Sequence, residues 1–206
     1  MLETPKTVYV WDPIVRVGHW VLAIGFLVAW LSAEEWDLVH VWSGYAIAAA
    51  IAIRLVWGIV GPRRARFTDF VRSPRTVIAY LKALPRGKAP RYLGHNPAGG
   101  AMTIALLLAL SVTAGSGMVL YAIEENAGPL AAYINPVEDR STASSMTREK
   151  HDDESASEER WEDIHEVAAT STLWLVGLHI LGVLASSLAH RENLPRAMIT
   201  GRKREE

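Results

Sequence analysis

GGAMTIALLLALSVTAGSGMVLYAI, residues 99–123, contains no charged side chain. A helix that long is enough to cross a hydrocarbon core of about 30 Å, which takes about 20 residues. Three more stretches approach it, from about Ile14 to Ala33, from about Leu38 to Val60 and from about Val167 to Ala189. The first carries Arg16 and His19 near its start, and the second carries Arg54. The alternative is a soluble bundle with very apolar helices. Four such runs in 206 residues, half of them apolar, are hard to cover with protein alone. The sequence therefore predicts an all-α, integral membrane four-helix bundle, one domain over residues 1–206.

The composition removes several chemistries. There is no cysteine, hence no disulfide, thiolate zinc site, iron–sulfur cluster or C-x-x-C-H haem attachment. Any haem must be held non-covalently, and any metal by His, carboxylate or Met. A net charge of −1 points to no nucleic acid. Met1 to Tyr9 have no charged segment followed by an apolar core, so no cleavable signal peptide is expected.

Lys and Arg in the connections set the expected orientation. Residues 61–98 carry Arg63, Arg64, Arg66, Arg72, Arg75, Lys82, Arg86, Lys88 and Arg91, against Asp69 as the one acid. The tail after His190 is also basic. The connection between the third and fourth spans is acidic, with Glu124, Glu125, Asp152, Asp153, Glu154, Glu158 and Glu159. Both termini and the basic loop are thus expected in the cytoplasm, and the acidic loop and the Glu34–Asp37 turn outside. Trp11, Trp20, Trp36, Trp42, Trp57 and Trp161 stand near span ends, where an aromatic belt would lie. The acidic stretch over about 124–162, with its Ser- and Thr-rich segment from Pro136 to Arg160, reads as a flexible outer loop. It is a solvated connector or a docking surface for a soluble redox partner.

Ionisable side chains inside a span are expensive and need a reason. His165 and His179 lie fourteen residues apart on the fourth span. That is about 21 Å along a helix axis, with the faces differing by only about 40°. One helix thus offers two imidazoles to the same interior, one toward each membrane surface. His40 stands at the outer level with His165, and His19 at the inner level with His179. Two stacked pairs, His40 with His165 and His19 with His179, suit two bis-imidazole haems. A metal or proton pathway is the other reading, although zinc would want three or four ligands per site. Arg16 shares a face with His19, and Arg54 returns to the face of His40 at the inner level. Both can neutralise propionates of an inner haem, or snorkel to headgroups. Gly25, Gly44, Gly115, Gly117, Gly177 and Gly182 can make room for a flat macrocycle, or serve helix packing.

Several motifs together resemble a known family. WDPIVRVGHW (Trp11–Trp20), HVWSGY (His40–Tyr45), RLVWGIVGP (Arg54–Pro62), RFTDF and RYLGHNPAGG (Arg91–Gly100) are similar to bacterial cytochrome b561 proteins and the cytochrome b subunits of nickel–iron hydrogenases. So are His165-Glu166, His179 and the closing HRENLPRAMITGRKR. The resemblance covers nearly the whole chain. The hydrophilic insert around Pro136 to Glu159 is longer than the family pattern.

The resemblance implies a di-haem b cytochrome of the bacterial inner membrane, with axial ligands at His19, His40, His165 and His179 and exchange with the quinone pool. By analogy with formate-dehydrogenase membrane subunits, Asn96, and with it His95, would lie at the quinone. The alternative for Asn96 is capping of the third span. The expected function is electron transfer between a periplasmic redox protein and quinone, as a subunit rather than a stand-alone catalyst. The partner would be a c-type cytochrome, a hydrogenase or a dehydrogenase. Two rivals stand beside it: a self-contained superoxide:quinone oxidoreductase, and a haem-free metal or proton transporter.

Overall fold

The structure is a computed structural model that describes residues 6–134 and 147–205. It is mainly helical, and among the described residues four helices are long and apolar enough to cross a membrane. They are α1 (Pro13–Ser32), α2 (Asp37–Val60), α5 (Pro97–Glu124) and α7 (Thr147–His190). Between α2 and α5 lie two short helices, α3 (Phe67–Phe70) and α4 (Pro74–Ala83), and α6 (Ala131–Ile134) follows α5. A seven-residue helix, α8 (Leu194–Thr200), follows α7.

The starts of these helices are written locally. Asp12 caps α1, its carboxylate accepting from the amides of Ile14 at 3.0 Å and Val15 at 3.2 Å, with Pro13 next. Asn96 caps α5 in the same way, ahead of Pro97. A polar cap followed by proline satisfies one orphan amide and removes another.

In the packing, α1 lies along α2, α5 along α7, and α2 touches α5. Phe26 and Ala29 of α1, Ile47 and Ile51 of α2, and Leu107 and Leu110 of α5 form one buried cluster. Outside it, large apolar side chains face away from the protein: Leu31, Trp174 and Leu188 are 74 %, 77 % and 80 % exposed. In water such a surface would be untenable, and in lipid it is the expected one. Hydroxyls within the spans bond to the preceding turn, as Ser111 does to the Leu107 carbonyl. Thr113 of α5 also meets Thr172 of α7 at 3.2 Å, a polar tie between helices.

Four spans return the chain to the side where it began, and the ends are joined there. Strand β1 (Thr7–Tyr9) pairs antiparallel with β2 (Arg202–Arg204), Val8 opposite Lys203. A buried ion cluster backs the pair. Glu192 accepts from Arg91 Nε at 2.7 Å and from Lys203 Nζ at 3.0 Å, and Lys203 also donates to the Tyr92 carbonyl at 3.0 Å. The Lys203 and Glu192 side chains are only 5 % and 6 % exposed. Burial pushes the Glu192 carboxyl up, but the donors Lys203 and Arg91 outweigh it and hold it below the usual range.

Two expectations are corrected. The flexible loop over 124–162 is in part a helix, because α7 begins at Thr147 and runs unbroken into the membrane. Residues 135–146 lie outside those described. Glu, Lys, Arg and Ala dominate 148–160 and are good helix formers. Growing from a formed span, they escape the nucleation cost that an isolated polar helix bears. The second correction concerns the aromatic belt. Trp20, Trp36 and Trp42 are exposed, but Trp11 is buried against Ala197 of α8, and Trp57 turns inward to donate to Asp12 at 3.1 Å.

Removing one partner of a buried ion pair strands the other. Lys203→Ala is therefore expected to cost about 3 kcal/mol in unfolding experiments on the detergent-solubilised protein. Replacing Lys203 and Glu192 together should cost clearly less than the two single changes added, which a double-mutant cycle would read.

Candidate functional site

The four intramembrane histidines meet in twos. The rings of His40 (α2) and His165 (α7) have centres 6.0 Å apart, and those of His19 (α1) and His179 (α7) are 6.3 Å apart. An atom ligated from both sides by imidazole nitrogens at about 2 Å sets ring centres about 6 Å apart. Among the described residues, no group of three or more His, Asp or Glu side chains gathers to hold a metal ion. Two-fold imidazole ligation is what these positions offer.

The two couples differ in their support. His40 Nδ1 lies 2.8 Å from the Ala29 carbonyl, and His165 Nδ1 lies 3.0 Å from the Thr113 carbonyl. A carbonyl only accepts, so each Nδ1 carries the hydrogen and each Nε2 keeps its lone pair for a ligand. Ser116 Oγ adds a contact to His165 Nδ1 at 3.1 Å. His19 Nδ1, by contrast, is buried with no hydrogen-bond partner.

Other buried polar atoms are also unanswered, on side chains that share His95 as a neighbour with His179. Arg54 is only 8 % exposed, and both Nη1 and Nη2 are buried without a partner. Its guanidinium carbon lies 4.9 Å from the centre of the Phe67 ring and 5.8 Å from that of Phe70. Gly58 makes this possible, since a Cβ there would come within 2.1 Å of the Phe67 ring. Buried donors are nearly always satisfied in native proteins, so a planar cation held against two rings calls for an anionic group. Arg16 instead donates through Nη2 to the Ile199 carbonyl of α8, while its Nε is buried without a partner.

His95 lies next to this arrangement. Its ring stands edge-on to Trp11 at 4.6 Å and tilted over Phe70 at 4.3 Å, with Nδ1 buried and unpartnered. Burial, then the nearby charges of Arg54 and Lys203, push the imidazole down to about 3, so it is neutral. Asn96, its neighbour, accepts from the Gly99 amide at 2.7 Å and donates to Ser186 at 3.2 Å. Its capping role is thus present in the fold.

The glycines divide. A Cβ at Gly44, Gly115, Gly177 or Gly182 would meet nothing within 4 Å, so these are open positions rather than tight helix contacts. One at Gly25 would touch Ile47 at 3.1 Å, and one at Gly117 would lie 2.9 Å from the His165 ring.

The sequence matches the family model of prokaryotic cytochrome b561 over residues 10–201. The chain belongs to the cytochrome b561 family. Membership carries b-type haem binding and a place in membrane electron transfer, in a bacterial membrane. No curated protein and no solved structure matches the chain. The paired imidazoles, the unanswered Arg54 donors and the open glycines are compatible with the b-type haem binding of the cytochrome b561 family.

Phe67 and Phe70, which line Arg54, and Gly58, which leaves room for Phe67, carry no mark of those roles in the sequence. Phe67 and Phe70 lie within RFTDF, where nothing local shows that Arg54 of α2 packs against them.

Two outcomes follow from the geometry. Gly117→Ala drives a methyl into the His165 ring, so it should alter the b-type haem spectrum while the chain still assembles. His95 stays unprotonated in the fold down to about pH 3 but takes up a proton near its ordinary 6.5 when unfolded. Its contribution to stability is thus full above about 6.5 and declines as the pH falls toward 3. Thermal unfolding of His95→Phe should show a shallower loss over that window than the parent.

Proposed function

We propose that the chain holds two b haems and carries electrons across the bacterial inner membrane between a redox protein outside and the quinone pool. His40 and His165 would ligate one iron and His19 and His179 the other. Arg54 would pair with a propionate of the second. The observation that carries this reading is the two imidazole couples, 6.0 and 6.3 Å between ring centres, at the two ends of one bundle.

The bound haems supply the one-electron chemistry. The protein's part is ligation, orientation and insulation. The Ala29 and Thr113 carbonyls fix the tautomer of His40 and His165, which leaves each Nε2 unprotonated for the iron the two would share. The lipid-facing aliphatic shell excludes water. The basic connection between α2 and α5 and the basic tail favour a cytoplasmic location for the His19/His179 end. Quinone exchange is assigned to that end, where Asn96 has a second amide hydrogen beyond the one it gives Ser186.

A reduced-minus-oxidised spectrum of the purified chain should show b-type bands, and a pyridine haemochrome assay should count two haems per chain. His40→Ala should remove one of them and leave the other. A colourless preparation would point to the transporter reading. Quinone reduction by superoxide with the chain alone would point to a self-contained oxidoreductase. An unchanged spectrum in His40→Ala would refute the ligand assignment.

A further inference from the structure

A groove of about 850 Å³ runs along the outside of the bundle where α1, α2 and α8 meet. Its floor is the close crossing of α1 and α2, where a Cβ at Gly25 would come within 3.1 Å of Ile47. Trp20, Ile24 and Val28 form one wall, and Val39 and Trp42 form the other. Ile24 and Trp42 are 57 % and 65 % exposed, so the groove opens toward lipid. From Pro13 to Val28 it follows α1 for fifteen residues. That is about 22 Å along the helix axis, against about 15 Å of hydrocarbon in one leaflet. A slot of this length can hold an acyl chain in place. None of the four paired histidines lines it, so it is separate from their couples.

One end of the groove is closed by Met198 and Ile199 of α8, and there stands Arg16, the charged residue among those that line it. Arg16 donates through Nη2 to the Ile199 carbonyl, which ties α8 to α1, and its Nε finds no acceptor. A guanidinium carries five N–H donors, so one carbonyl leaves it far from satisfied. The carboxylate nearest in the chain, Asp12, is taken up by the amides of Ile14 and Val15 and by Trp57. Arg196 is exposed one turn before Ile199 on α8, so a second cation shares this end. The groove is thus apolar along its length and cationic at one end. An anionic amphiphile with its head toward α8 matches both features, because basic residues at a membrane surface attract anionic headgroups. An uncharged lipid would match the first feature only.

We propose that this groove binds one anionic phospholipid, its phosphodiester answered by Arg16 and Arg196 and an acyl chain lying along α1 and α2. The lipid then bridges α8 to the first two spans. It supports the contact of Ala197 with Trp11, which closes that end of the protein.

Native mass spectrometry of the purified holoprotein tests it, after native lipid is stripped by prolonged detergent washing. The protein is titrated with dioleoyl phosphatidylglycerol and, separately, with dioleoyl phosphatidylcholine. One phosphatidylglycerol per chain should be retained, about tenfold more tightly than phosphatidylcholine. Arg16→Gln should erase that preference, and Arg16→Lys should keep most of it. Ala46 lines the groove and is exposed, so Ala46→Phe fills the slot without touching its charge or the packed core. It should weaken phosphatidylglycerol binding with Arg16 still in place, and it decides the matter alone if Arg16→Gln does not assemble. The proposal is overturned by equal retention of the two lipids, by a preference that survives Arg16→Gln, or by full retention in Ala46→Phe. A lipid-free mass of two chains would overturn it as well, since the groove would then be a contact between copies.

Discussion

An imidazole in the hydrocarbon interior of a membrane is costly unless something engages it. This chain places four there, and the bundle is arranged so that each faces another across a gap of bonding size. That constraint explains features that packing alone would not. The α1–α2 and α5–α7 pairs leave Gly44 and Gly115 facing open space instead of closing on them. Gly117 is kept bare because the His165 ring lies where its methyl would be.

The same constraint links the two ends of the chain to the site. The β1–β2 pair and the Arg91–Glu192–Lys203 cluster hold the N-terminal and C-terminal segments together under the His19/His179 couple. Trp11, drawn inward by that closure, supplies one wall for His95, and Phe70 supplies the other. Phe70 and Phe67 also line the guanidinium of Arg54. The short helices between α2 and α5 thus serve as the floor of a buried, positively charged compartment. At the opposite end, backbone carbonyls of α1 and α5 support the histidines and carboxylates surround the bundle.

The spans and the histidine pairing were legible in the sequence because both rest on simple periodic rules. Charge-free runs mark helices that lipid can surround. A fixed rise per residue places His165 and His179 at separate depths on one side of one helix. Elsewhere no local rule applied. Three-residue strands of Thr7–Tyr9 and Arg202–Arg204 have no pattern to read, and their pairing spans nearly the whole chain. Trp11 at the edge of a span looked like an interfacial anchor, because nothing local shows that α8 folds back over it. The helix before Arg160 was hidden by its own polarity: an acidic stretch with no apolar period reads as a loop unless an existing helix extends into it. Asn96 was legible as a cap, and the structure gives it that role whatever else it touches.

The central claim is that these histidines serve in two fixed couples, and electron paramagnetic resonance of the oxidised protein tests it most directly. Two distinct low-spin ferric signals are expected. Replacing either His19 or His179 with Ala should remove one and the same signal, and replacing either His40 or His165 should remove the other. Loss of the same signal from His19→Ala and His40→Ala, or high-spin iron throughout the parent protein, would contradict the account.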